Sequence, residues 1–207
     1  MKLNKKQKKE ILSPFSPDFA SAFDPNRTPD VDDYYYDAMD LLGGGAKEIK
    51  EALRLLNIAL EMDKDYVQTD IAFVSAYNAT GEKKKAEEAI KTAYDKTLKI
   101  FPKWPKRMEW GYVENRAYMR AIQYMGELYW DSGENEKAIE IFRLLLKLNP
   151  NDNQGVRYEI AALYAGLRGR DINRMTDEGN EKQNWNEQEN LVKEQNLKHK
   201  FWKEPKY

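Results

Sequence analysis

The sequence predicts an all-α chain, and three observations carry that expectation. Apolar residues recur at helical spacing, as in Ala52, Leu56 and Ala59 and again in Val156, Ile160, Leu163 and Leu167. A short pattern of small, aromatic and glycine residues returns at a fixed offset along the chain. Gly81, Gly133 and Pro150 stand where periodic stretches end, as helix-terminating residues should.

The elements follow in order. A first helix is expected from Thr28, with Pro29 in its first turn and Asp30, Asp32 and Asp33 complementing the helix dipole, until the run Gly43–Gly44–Gly45. Further helices are expected at 46–63, 66–80, 83–100, 109–131, 135–148 and 152–168.

The offset is measurable. Ala52 falls on Ala86, Leu56 on Ile90 and Ala59 on Ala93, each 34 residues apart. Tyr77, Gly81, Ala86 and Ile90 fall on Tyr129, Gly133, Ala138 and Phe142 at a shared offset of 52, which is 34 plus 18. The clearest copy runs from Ile122 through Met125, Gly126, Tyr129, Gly133, Ala138 and Phe142 to Pro150. Gly126 suits a close approach of two helices, and Gly133 suits a left-handed helix end. Ala138 and Phe142, one turn apart, place a small and a large group on one face.

This pattern resembles the tetratricopeptide repeat, over roughly residues 29–168. In the second copy Phe73 and Val74 replace Met125 and Gly126, and in the first Lys64 replaces the closing proline. A terminal half-repeat begins at Asn151, with Glu159 where an apolar residue belongs. The resemblance implies a right-handed α-solenoid of antiparallel helix pairs, about three and a half repeats, over residues 28–168. The extra 18 residues equal five helical turns and are expected as an extended helical hairpin between the second and third repeats, tipped by Phe101, Trp104, Trp110 and Tyr112. Of these, Trp110 and Tyr112 are read as padding the longer helix pair and Trp104, held between Pro102 and Pro105, as the exposed contact.

Residues 1–27 are expected as an extension or cap, with Phe15, Phe19 and Phe23 on one helical edge. Residues 169–207 form a polar tail, read as folding back along the solenoid with Phe201 and Trp202 as anchors.

Composition excludes several chemistries. With no cysteine and only His199, a disulfide framework, a thiolate nucleophile and a two-histidine metal site are ruled out within one chain. The net charge of −1 argues against general attraction to nucleic acid. No apolar run is long enough to span a bilayer, and the start MKLNKKQKK lacks a following signal-type apolar stretch, so a cytoplasmic, non-membrane protein is expected. The Asp30–Asp40 stretch lacks the glycine and terminal glutamate of a calcium loop, and the glycine run lacks the Lys-Ser/Thr of a phosphate loop. No carboxylate pair is marked as buried. Neither catalysis, a cofactor nor a metal is therefore expected.

The resemblance implies a scaffold that binds an extended protein or peptide segment along the first helix of each repeat. By register this groove carries Gln68, Ile71, Ser75 and Asn78, then Arg120, Gln123, Glu127 and Trp130, then Gln154, Arg157 and Tyr164. Family members that clamp the carboxylate of chaperone tails use Lys, Asn and Arg at places held here by Asp37, Leu41, Ala72, Arg120 and Tyr124. Only Arg120 fits, so that clamp is not expected. The weaker alternative is a nucleic-acid contact through Lys96, Lys99, Lys103, Trp104, Lys106 and Arg107 at the elbow. Oligomeric state is not written in the residues.

Overall fold

A computed structural model describes residues 27–205. All regular structure among them is α-helical. The helices are α1 (Val31–Leu41), α2 (Ala46–Met62), α3 (Val67–Thr80), α4 (Lys83–Ile100), α5 (Val113–Asp131), α6 (Asn135–Leu148), α7 (Val156–Tyr164), α8 (Gly169–Lys182) and α9 (Asn186–His199). The expected cap with Phe15, Phe19 and Phe23 lies outside the described residues. No described helix is long and apolar enough to cross a membrane.

Helix α1 begins later than Thr28 because Asp30 is the better cap. Its carboxylate accepts from the backbone N–H groups of Asp32 and Asp33 at 3.0 and 3.2 Å. Asp33 accepts in return from the Asp30 N–H at 2.7 Å, closing a reciprocal box. Arg27 ties both carboxylates down from outside the helix. The glycines that follow α1 let the chain reverse into α2.

From α1 to α7 each helix packs on its successor, and α1, α3 and α5 also touch one another in series. Two of the contact zones draw heavily on alanine. Ala38, Ala52, Ala72 and Ala76 sit between α1, α2 and α3, while Ala93, Ala117 and Ala121 join α4 to α5 around Val67 and Ile71. A chain with 33% charged residues has few large apolar groups to spend, and alanine lets backbones close without them.

The largest core lies where α5, α6 and α7 meet, around Ile122, Phe142, Leu145, Leu148 and Ile160. Gly126 is the point of closest approach. A β-carbon built there would stand 2.5 Å from the fully buried Phe142 ring. Gly133 then ends the α5–α6 turn at φ +78°, in the left-handed region expected for it.

The elbow differs from the expected projecting hairpin. Helix α4 stops at Ile100 and α5 starts at Val113, and the connector between them has no helix. Pro102 and Pro105 remove two amide donors, so continued helix there would leave carbonyls unpaired. The connector instead lies back on the molecule. Met108 is 2% exposed, and its N–H donates to the Leu148 carbonyl at 2.8 Å. Phe101 stacks with Trp104 and meets Tyr118 edge-on. Trp104, expected as the exposed contact, is half-buried against Phe101, while Tyr112, expected as padding, is the one of the four left largely exposed because it precedes α5 on the outside of the connector.

The polar tail is ordered as α8 and α9. Helix α9 packs along α7, and α8 bridges α5, α7 and α9. Val192 and Phe201 enter the largest core, while Ile172 and Met175 pack with Ala162 and Trp130.

The Gly126 contact sets a quantitative expectation. Alanine there gains about 1 kcal/mol of helix propensity, but overpacking against a buried ring costs about 1–3 kcal/mol. Gly126→Ala should therefore lower the urea midpoint, and Phe142→Leu added to it should recover part of the loss. A midpoint unchanged by Gly126→Ala would show that α5 and α6 are not held this close.

Candidate functional site

One face, shared by α3, α5 and α7, gathers polar side chains that the hydrophobic core does not need. On α3, Gln68 is half-buried while Ser75 and Asn78 are exposed. On α5, Arg120, Gln123, Glu127 and Trp130 are all half-buried. Gln154, just before α7, and Glu159 on it complete the row. Ile71 departs from the expected lining, because at 6% exposure it belongs to the alanine-rich core between α3 and α5.

Gln123 is the hub. Its Nε2 donates to Glu159 Oε1 at 3.1 Å, and its Oε1 accepts from Gln154 Nε2 at 2.6 Å. With both ends of this amide engaged, its orientation is fixed, and α5 is tied to α7 and to the turn before it. Ser75 lies beside the buried Tyr124 hydroxyl, which carries the row across to α3.

Glu127 and Glu159 face each other across α5 and α7. Burial pushes the Glu127 carboxyl up to about 7, and the negative charge of Asp131 adds to the effect. Burial also raises the Glu159 carboxyl well above the ordinary carboxylate range, with the Glu127 charge next in importance. Neither forms an ion pair with a described lysine or arginine. Glu159 Oε2 is cut off from water and has no hydrogen-bond donor, as is Gln154 Oε1. A proton shared between the two carboxyls removes one charge and converts a repulsion into a donor–acceptor contact. Nothing in the local sequence marked this pair, since its members stand on different helices, α5 and α7.

The remaining expected groove residues serve the C-terminal helices. Arg157 pairs with the buried Asp152 at 2.9 Å and with Glu189 of α9 at 3.2 Å, under the Trp202 ring. Burial raises the Asp152 carboxyl, and the Arg157 guanidinium opposes that shift. Tyr164 stacks on His199 with ring centres 3.8 Å apart, and Trp130 packs on Ile172 and Met175. The Trp202 indole donates to the Pro150 carbonyl at 3.2 Å, and Asn196 holds both backbone polar groups of Trp202. Arg120 stands over Trp110 rather than in the polar row.

At the elbow, Lys103, Lys106 and Arg107 are exposed, but Trp104 is half-buried against Phe101. Lys96 is withdrawn from the basic patch. It forms a 2.6 Å ion pair with Asp70, the two side chains being 11% and 6% exposed. Among the described residues no group of histidine, aspartate and glutamate side chains is arranged to hold a metal ion.

The chain matches no protein-family model, no curated protein and no solved structure.

Sequence reasoning missed Asp70, Asp152, Tyr158 and Trp185, and treated Glu159 only as a break in an apolar stripe. That break was the available signal, because a lone carboxylate on an inward stripe must find a partner or a proton.

The carboxyl pair makes stability depend on pH with a definite sign. Glu127 binds its proton more tightly folded than unfolded, so stability is fully present below the ordinary carboxylate pKa and falls as pH rises through about 7. Between pH of about 5.5 and about 8 the Glu127 share of the loss should be roughly 2 kcal/mol, in addition to the fall from the raised Glu159 carboxyl. Glu127→Gln should remove that share, leaving a shallower fall in urea titrations at the two pH values. A wild-type protein and variant with parallel pH dependence would contradict the pairing.

Proposed function

We propose that this chain is a non-catalytic scaffold of tetratricopeptide-like helix pairs that holds an extended segment of a partner protein across the α3, α5 and α7 face. The observation that carries the proposal is the polar row itself. Gln123, Gln154, Glu127 and Glu159 are concentrated on one face, yet two of their acceptor oxygens lack donors. Buried acceptors without donors are costly, and a segment of a partner protein can supply N–H groups to them.

Other observations agree with the repeat reading. The offset of 34 residues and the serial contacts of α1, α3 and α5 are what stacked helix pairs produce. The close approach at Gly126 and the left-handed Gly81 and Gly133 fall at the positions that the repeat pattern assigns to small and helix-ending residues. On this reading α8 and α9 close the far end of the array. Solenoid ends need such cover for their apolar faces. A cytoplasmic location belongs to the same proposal.

The protein-segment reading is preferred over nucleic acid because the elbow aromatics Phe101 and Trp104 are spent on packing. Stacking by exposed aromatics is what single-stranded nucleic acid would require.

Selection from a displayed random-peptide library against the full chain tests the proposal. Enrichment of a shared motif is expected, with binding lost in Ser75→Arg, which places a bulky cation on an exposed position and leaves the core untouched. A library that yields no common motif, or peptides indifferent to Ser75→Arg, would sink it.

A further inference from the structure

Glu159 has a second neighbourhood. Beside Gln154 it stands in the wall of a pocket of about 490 Å³ that opens between α7 and the α8–α9 pair. Tyr158, Ile172, Asn173, Thr176, Trp185 and Gln188 make up most of the rest. The wall is therefore aromatic and aliphatic on its sides and carboxyl and amide at Glu159 and Gln154.

Trp185 is the unusual member, because a large indole is left 40% exposed at the pocket wall. Its seat is built for it. A β-carbon at Gly179 would stand 2.6 Å from the Trp185 ring, so only glycine leaves room for the indole against α8. Gln188 is 4% exposed and is held by its Nε2 donating to the Thr176 hydroxyl at 2.7 Å, which fixes the α8–α9 side of the pocket.

The charges around this pocket are unbalanced. Arg157 is committed to Asp152 and Glu189, and the Tyr158 hydroxyl donates to Glu189 as well. Arg120 is turned toward Trp110. Glu127 and Glu159 thus stand together with no ion pair to a described cation, whereas Asp131 borders Arg168 and Arg170 on the neighbouring surface. No other side chain or backbone N–H reaches Glu159 Oε2 or Gln154 Oε1, so the first relies on the proton shared with Glu127 and the second has no donor; a bound guanidinium would take the place of that proton.

We propose that this pocket receives an arginine side chain of the bound partner segment, its guanidinium stacking on Trp185 and donating to Glu159 and Gln154. The inference rests on the scaffold reading above. Arginine fits better than lysine for two reasons. Its flat guanidinium can lie on an indole face, and it offers five donors in a rigid fork to acceptors that stand side by side. It also supplies the positive charge that the carboxyl cluster lacks. An acidic side chain in the same pocket would meet Glu159 with Glu127 behind it and is disfavoured by the same field.

Short end-capped peptides with one arginine stepped through every position, each paired with its citrulline twin, test this by fluorescence anisotropy on the full chain. Citrulline keeps the shape and removes the charge. The arginine peptide of the best register should bind about tenfold or more tightly than its twin. Glu159→Gln, nearly isosteric, should erase that preference, and Trp185→Ala, at an exposed position, should weaken the arginine peptide selectively. Equal binding of the twins, or a preference that survives Glu159→Gln, would overturn the arginine assignment while leaving the scaffold reading standing. No binding by either series would overturn both.

Discussion

Two carboxyl groups buried at one helix junction without a cation form the constraint around which this molecule is arranged. Glu127 and Glu159 cannot both be ionised at ordinary cost, because each is shielded from water and each repels the other. Gln123 stabilises whatever charge remains by donating to Glu159, and Gln154 in turn fixes Gln123. The junction of α5 and α7 is therefore held by an amide chain and a shared proton, on the open side of a helix pair whose other side is apolar.

That other side explains why the polar side can exist. Helices α5 and α6 meet around Gly126 and Phe142, and α7 adds Ile160 and Ala161 to the same core. Close packing there supplies the stability that a strained polar junction consumes. The C-terminal helices then cover α7 from a second direction, through Val192, Phe201 and the Arg157 network. Arg157 is committed within that network to Asp152 and Glu189, which leaves Glu159 with no arginine of its own.

Much of the helical layout was legible because it depends on local rules. Helix α4 and helix α6 have their expected limits, and Gly81 and Gly133 end α3 and the α5–α6 turn in the left-handed conformation. The elbow was not legible, because two prolines and several aromatics can either project or fold back, and the choice depends on the distant Leu148 carbonyl. The tail helices were hidden for a different reason. Helix α9 buries Gln188 and Gln195 beside Val192, so its inward face is amide-rich and escapes a search for apolar period. At the site, Gln123 and Glu127 were found by register, but the pairing of Glu127 with Glu159 spans 32 residues and requires the packing of α5 on α7.

The central claim is that one proton is shared by these two carboxyls in the folded protein. Side-chain carboxyl carbon shifts of Glu127 and Glu159, followed by NMR across the pH range and assigned with the corresponding glutamine variants, measure it directly. One step at about 7, carried mainly by Glu127, is expected, with a Glu159 carboxyl that stays protonated well above the ordinary carboxylate range. Two independent steps in the ordinary glutamate range, at about 4–5, would contradict it.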